Sequence, residues 1–578
     1  MRRLFKYLDN YKKECVLAPL FKMLEAAFEL TVPLVIARMI DSGIKRGASS
    51  VILSSFGILV ALGAVGLAVS CTAQFFAAKA ATGFAKQLRH DLFSHILSFG
   101  FTEIDSVGTS AMITRQTADV NILQNGVNMF LRLFLRSPFI VAGAVVMAFT
   151  IDPSCALIFV LVVALLALAV ALIMKTNIPR LKDAQNKLDE VLRLVRENLS
   201  GARVIRAFTL EDEQIGEFEK ANDSLATFLL KAGRMSGLLN PLTYVMINLA
   251  IVLLIYSGGA RVEAGVLTTG QVVALYNYMS QILLELIKFA NLIVTLNRTF
   301  ASAARVNEIF DVTPSMTTVE DNDDTTVSDA PAVEFKNVSL RYHELADEAV
   351  SNISFAVMPG QTLGIIGGTG SGKTSIANLI PRFYDATAGE VRLFGKNVRT
   401  IEPDKCRTLV GCVMQKAVLF EGTVRDNLRW GNADATDEEL LEACDAAVCR
   451  QVIEDKGGLD ARVEAGGRNF SGGQRQRLSI ARVLAAKPSI LILDDSASAL
   501  DYMTDKKLRE NIATLPYDPT VIIIAQRTNS VSACDSILVL DDGEAAGYGT
   551  HEELLKSSTV YKEIYASQYG DDGEREAV

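Results

Sequence analysis

Residues 154–174 read SCALIFVLVVALLALAVALIM, without one charged side chain. A helix rises about 1.5 Å per residue, so this run can cross the roughly 30 Å apolar core of a bilayer. Backbone polar groups inside lipid must pair within the segment, and that dictates a helix. The same reasoning marks spans at about 16–40, 51–78, 130–151, 154–175, 238–258 and 268–296, six in all. The first is the least pure, because Lys22, Glu25 and Glu29 lie inside it.

Basic residues crowd the start, MRRLFKYLDNYKK, and the segment 175–234, whereas the short turn IDPS (151–154) has none. Positive-inside counting puts both termini on the cytoplasmic side. No cleavable signal is visible, since the first apolar stretch runs on as a span. Residues 1–13 set Leu4, Tyr7, Leu8 and Tyr11 on one helical face among cations, which suits an interfacial helix on the membrane surface. The stretches 79–130 and 175–236 are charged and helical in pattern, so the membrane helices should continue past the bilayer. Each pair is expected to reverse in a short turn, near 117–126 and 208–218, within a transmembrane domain covering 14–311.

Composition changes after about residue 312. An acidic polar linker (312–331) leads into a soluble α/β pattern (332–567) and a polar tail (568–578). The net charge of −9 argues against a nucleic-acid partner, which wants a basic face. The eight cysteines are scattered without a CxxC pair and suit buried thiols in a reducing compartment.

The soluble half carries explicit chemistry. The strand TLGII runs into Gly367, Gly368, Thr369, Gly370, Ser371, Gly372, Lys373 and Thr374, the pattern G-x-x-x-x-G-K-T before a helix. Glycines let backbone N–H groups curl around phosphate, Lys373 reaches its outer oxygens, and Thr374 can ligate Mg²⁺. Gln415 ends the apolar stretch VGCVMQ, FSGGQRQR (470–477) opens a helix, SILILDD ends in Asp494 and Asp495, and VIIIAQR ends at Gln526. Alone, Gln415 reads as a surface glutamine and SGGQ as a turn with an N-cap.

In this order the motifs resemble the nucleotide-binding domain of ABC transporters, and with the preceding spans the chain resembles an ABC exporter half-transporter. The fold implied is an α-helical transmembrane domain plus an α/β P-loop ATPase domain. In that family two such chains pair and ATP is sandwiched between them. By resemblance, Tyr342 stacks on adenine, Gly367 to Thr374 hold the phosphates, and Gln415 and Asp494 attend Mg²⁺. Ser471, Gly472, Gly473 and Gln474 close on the partner's ATP, and Ser498, Ala499, Leu500 and Asp501 communicate across the dimer. The turns near 117–126 and 208–218 become coupling helices seated on the ATPase domains.

Two positions depart from the family pattern: Asp495 stands where Glu is usual, and Gln526 where His is usual. Asp495 retracts the carboxylate by about one C–C bond, roughly 1.5 Å, and losing a well-placed base typically costs about 10²- to 10⁴-fold. Gln526 can donate to a phosphate but carries no proton-shuttling imidazole. SGGQ, which serves the other chain's nucleotide, is intact. This asymmetry is expected of the degenerate-site subunit of a bacterial heterodimeric multidrug-type exporter in the cytoplasmic membrane. A slow homodimer and a nucleotide-sensing regulatory subunit are the alternatives. Glu25, Glu29 and Glu285 are ionisable groups within spans, so they should face a cavity or each other. Glu29 and Glu285 would favour small amphipathic cations in a cavity, or else pair between helices.

Overall fold

Asp152 accepts a 2.9 Å hydrogen bond from the Cys155 N–H, and Pro153 fills the first helical turn. This cap lets the chain leave one membrane helix and enter the next, Pro153–Ser200, within the short IDPS turn. The computed structural model describes residues 3–316, 330–342, 346–496 and 498–569, so most of the expected linker and tail lies outside the described residues. It resolves into two units, one of residues up to 97 with 109–312, the other of 98–108 with 313 onward.

In the first unit, five helices among the described residues are long and apolar enough to cross a membrane: Ser49–Leu97, Thr109–Ile151, Pro153–Ser200, Pro241–Glu263 and Thr269–Asp311. The expected first span falls in Lys12–Arg38, which is not one of the five. Its Lys22, Glu25 and Glu29 lower its apolar character. Lys12–Arg38 packs along Ser49–Leu97, and Glu211–Glu263 packs along Pro153–Ser200. Ile140, Phe159 and Tyr278 are among the buried centre of the bundle, and Tyr278 Oη donates to the Leu30 carbonyl at 2.6 Å.

Both expected reversals lie elsewhere in the structure. The first reversal is not at 117–126, which is helical throughout, but at 98–108. There the Gly100 N–H donates to Glu103 Oε2 at 2.8 Å, capping the short helix Phe101–Val107, and Gly108 closes it at φ 79°. The polar residues at 117–126 serve helix packing instead. Asp119 is buried and pairs with Arg305, whose Nε lies 3.1 Å away, and a Cβ on Gly126 would lie 2.0 Å from Thr299 Oγ1. The second reversal spans 201–210, around the helix Ala202–Phe208, and overlaps only the start of the expected 208–218. The N-terminal segment forms a 3₁₀ helix, Leu4–Tyr11, whose Leu4 and Tyr7 are buried in protein, with the Tyr7 ring edge-on to Phe84 at 6.2 Å. Leu4 and Tyr7 of the expected interfacial face thus pack on the chain's own helix, while Phe5 stays 56% exposed.

In the second unit the strands run in chain order β1 (Val333–Leu340), β2 (Val350–Val357), β3 (Thr362–Gly367), β4 (Ala388–Leu393), β5 (Lys396–Asn397) and β6 (Val410–Val413). There follow β7 (Gly422–Thr423), β8 (Arg462–Val463), β9 (Ile490–Asp494), β10 (Thr520–Ala525), β11 (Ser536–Asp541) and β12 (Glu544–Gly549). A six-stranded sheet has the order β12-β11-β3-β10-β9-β6, parallel except for β12, and β2-β1-β4-β5 form an antiparallel sheet. Strands β3, β9 and β10 are almost wholly buried, as continuous apolar runs in a covered parallel sheet should be.

Candidate functional site

Parallel pairing aligns Ile366 with Ala525 and Asp494 with Ile524, so β3, β9 and β10 end along one edge. Ligands of open parallel sheets bind outside this carboxyl edge. Gly370 and Gly372 take φ values of 87° and 92°, and a Cβ on Gly367 would lie 2.3 Å from the Leu540 carbonyl oxygen. Glycine is required there because a side chain would strain or clash. Lys373 folds back over the loop, donating to the carbonyls of Gly367 at 2.9 Å and Gly368 at 2.5 Å. Burial pulls its pKa below the ordinary lysine value, against the opposing field of Asp495 and Asp494.

Thr374 Oγ1 lies 3.4 Å from Asp494 Oδ1. Asp494 is only 5% exposed, and burial raises its carboxyl pKa, against the Thr374 hydrogen bond. A buried, under-compensated carboxylate beside a hydroxyl and the Gln415 amide makes an all-oxygen donor set that fits a hard cation such as Mg²⁺. Asp495 sits at φ 44°, its N–H donating to the Ile524 carbonyl at 3.0 Å. Its Oδ2 accepts from Gln415 Nε2 at 3.3 Å and from Gln526 Nε2 at 3.4 Å. Burial raises this carboxyl as well, with the Gln415 hydrogen bond opposing. Tyr342 donates to Ser375 Oγ at 2.9 Å.

These side chains line one cavity of about 320 Å³, which brings together Tyr342, Thr369, Gly370, Gly372, Lys373, Thr374, Gln415, Asp494, Asp495 and Gln526. Gly367, Gly368 and Ser371 belong to the loop but not to the lining. Ser471 to Gln474 lie outside it. There the Ser471 N–H donates to Gln474 Oε1 at 2.9 Å and the Gln474 N–H returns to Ser471 Oγ at 3.3 Å, a capping box that starts the helix Gly472–Leu484. A Cβ on Gly473 would lie 2.9 Å from the Ala499 carbonyl oxygen. Ser498 Oγ donates to the Asp495 carbonyl at 2.8 Å, and Leu500 is buried. Asp501 caps Tyr502–Ala513, and the Thr504 N–H donated to it at 3.0 Å lowers its pKa.

Sequence reasoning missed Tyr384 and Asp105. The Tyr384 ring meets Tyr342 edge-on at 4.9 Å, and its hydroxyl donates to Asp105 Oδ2 at 2.6 Å. Phe101 packs on Phe383 at 4.7 Å. The helix Phe101–Val107 therefore rests on an aromatic cluster that reaches the cavity. Also missed was Arg136 of the membrane unit. Glu29 and Glu285 are not unpaired: Arg136 donates to Glu29 Oε2 at 2.8 Å and to Glu285 Oε1 at 2.6 Å, and Lys22 donates to Glu25 at 2.5 Å.

Comparison with known proteins agrees with this architecture. Residues 15–286 match the ABC transporter transmembrane region, and 350–498 match the ABC transporter ATPase family. The uncharacterized ABC transporter ATP-binding protein YfiB of Bacillus subtilis is 34% identical over 99% of both chains. The putative multidrug export ATP-binding/permease protein YgaD of the same organism is 30% identical, covering 98% of this chain and 99% of its own. A solved bacterial Atm1-family ABC exporter with ATP bound shares the fold at a TM-score of 0.81 and 23% identity, over 97% of this chain and 99% of that one. The chain belongs to the ABC transporter family, with its transmembrane region and its ATPase domain on one polypeptide and the fold of an ABC exporter.

Proposed function

We propose that this chain is one half of a heterodimeric exporter of amphipathic compounds, and that its own ATP site is kept for binding and weak at cutting. Tyr342 offers a ring to the adenine, the loop Gly367–Gly372 offers backbone N–H groups to phosphate, and Lys373 leaves its carbonyl partners to meet the phosphate oxygens. Mg²⁺, when bound by Thr374, Asp494 and Gln415, would neutralise phosphate charge. Ser471 to Gln474 present a preformed helix start to the partner's nucleotide.

The observation that carries this reading is the state of Asp495. Both neighbouring amides, Gln415 and Gln526, direct their N–H groups at the same oxygen, Oδ2. Hydrogen bonds donated to a carboxylate lower its basicity toward an attacking water. Without an imidazole at 526 and one methylene short, Asp495 orients water poorly. A homodimer with slow turnover is the second reading, favoured by Asp495 still lining the cavity beside Lys373.

Closure over two ATP molecules would shift the population between inward- and outward-facing states through differential affinity. The helix Phe101–Val107, and by analogy Ala202–Phe208, would act as coupling helices. Lys12–Arg38 would be the sixth span, its charges paired within the bundle, and both termini would lie in the cytoplasm. ATP-driven accumulation of an amphipathic dye in inverted vesicles tests this reading. Uptake should survive Asp495→Ala and be lost with Ser471→Arg. Loss of uptake in Asp495→Ala would favour the homodimer.

A further inference from the structure

The membrane unit holds a cavity of about 320 Å³ between the helices Lys12–Arg38, Arg136–Ile151 and Thr269–Asp311. Four charged side chains line it: Glu29, Arg136, Glu285 and Lys288. Two carboxylates and two cations make the lining neutral. Arg136, 7% exposed, donates through Nη1 to Glu285 at 2.6 Å and through Nη2 to Glu29 at 2.9 and 2.8 Å. Glu285 also accepts from Ser137 Oγ at 2.7 Å and Lys288 Nζ at 2.8 Å.

Nε of Arg136 and Oε1 of Gln281 are buried without a hydrogen-bond partner beside this cavity, so the polar side of its wall is not fully paired. The groups of the lining that remain accessible are one of each sign, the Glu29 carboxylate and the Lys288 ammonium, so a ligand can meet both an acceptor and a donor. A singly charged ligand would add net charge to a neutral, low-dielectric site and be poorly compensated. A ligand with opposite charges at its two ends would not. Its acid oxygen suits Lys288, whose side chain is 45% exposed. Its ammonium suits Glu29, whose side chain is 42% exposed. Val32 and Leu284 add apolar wall for a tail.

We infer that this cavity binds the zwitterionic head of an amphiphile, with a protonated amine and an acid oxygen on one short head group. The inference rests on the exporter reading and narrows its cargo from amphipathic compounds in general to zwitterionic ones.

The test uses the complex as purified with its partner, in phosphatidylglycerol nanodiscs without nucleotide. Thermal stabilisation is titrated with N-dodecylglycine, dodecylammonium and dodecanoate, which share a tail and differ in head charge. N-dodecylglycine should saturate at a concentration about tenfold lower than either singly charged analogue. Glu29→Gln leaves the lining with one excess positive charge and should turn the preference toward dodecanoate. Lys288→Gln leaves one excess negative charge and should turn it toward dodecylammonium. Mere loosening of the fold would not reverse the order in opposite directions. If Glu29→Gln does not fold, the half-exposed Lys288 decides alone. Equal response to all three compounds, or wild-type order in the folded variants, overturns the inference. Repeating the titration with phosphatidylethanolamine in the disc separates two sources of the head group. A weakened response assigns the site to a bilayer lipid, an unchanged one to a free amphiphile, and both support the site. Dye uptake without head-charge preference would sink this inference alone, whereas binding without any ATP-driven uptake would sink the exporter reading.

Discussion

Gln526 Nε2 lies 3.4 Å from Asp495 Oδ2, on the oxygen that also accepts from Gln415. A short carboxylate held by two neutral amides is a different object from a free base facing water. On the proposed reading the two departures act together: Gln526 would hold Asp495 in place but could not pass a proton.

Restoring reach should therefore restore cutting. Asp495→Glu combined with Gln526→His is expected to raise single-turnover hydrolysis at this chain's site by about 10²-fold. Rapid-quench measurement with the partner's own site disabled checks this. An unchanged rate would place the limit elsewhere, in closure of the dimer.

Asp494 leads to a pH prediction. Its carboxyl pKa is raised by burial, so in the nucleotide-free protein its contribution to stability is greatest below the unfolded carboxyl pKa. That contribution is lost as pH rises through the folded pKa. Asp494→Asn removes the buried charge and should raise the melting temperature of the nucleotide-free protein at neutral pH while weakening MgATP binding. Calorimetry with and without MgATP would show the two effects moving in opposite directions.

Tyr384→Phe keeps the ring against Tyr342 and Phe101 but removes the hydroxyl bonded to Asp105. A hydrogen bond to a charged group is worth about 1.5–3 kcal/mol. Nucleotide affinity should change little, while amide exchange in 101–107 speeds up and cargo stimulation of the ATPase falls. Unaltered exchange there would remove Tyr384 from the coupling path.

Arg136→Met removes the ion-pair partner shared by Glu29 and Glu285, leaving the buried Glu285 with only Ser137 and Lys288. Breaking a buried pair from one side costs about 3–5 kcal/mol, enough to lower folded yield sharply in fluorescence-detected size exclusion. Adding Glu285→Gln should recover part of it.

The two halves of the molecule were legible in the sequence to different depths. The phosphate loop, Asp494, Asp495 and Gln526 stand at strand ends, and parallel pairing leaves such ends together, so reading the motifs was enough to assemble the cavity. Arg136 was not legible, because it looks like the polar flank of a span and its partner Glu285 is distant in sequence. The reversal at 98–108 was masked for a related reason. Asp119 reads as part of a polar turn, yet it pairs with Arg305 across helices. The better signals were local: Gly100 with Glu103 three residues on, and Gly108. Tyr384 carried no pattern of its own, since its role comes from contact with Asp105 on a segment far back in the chain.

The central claim, that this chain pairs with a different half-transporter to compensate a weak site, is tested most directly by its native company. The tagged chain would be purified from its own membrane in mild detergent and the complex weighed by native mass spectrometry. The account predicts an equimolar second half-transporter carrying Glu and His at the positions matching Asp495 and Gln526. A particle of twice this chain's own mass, with brisk hydrolysis that collapses in Asp495→Ala, would contradict it.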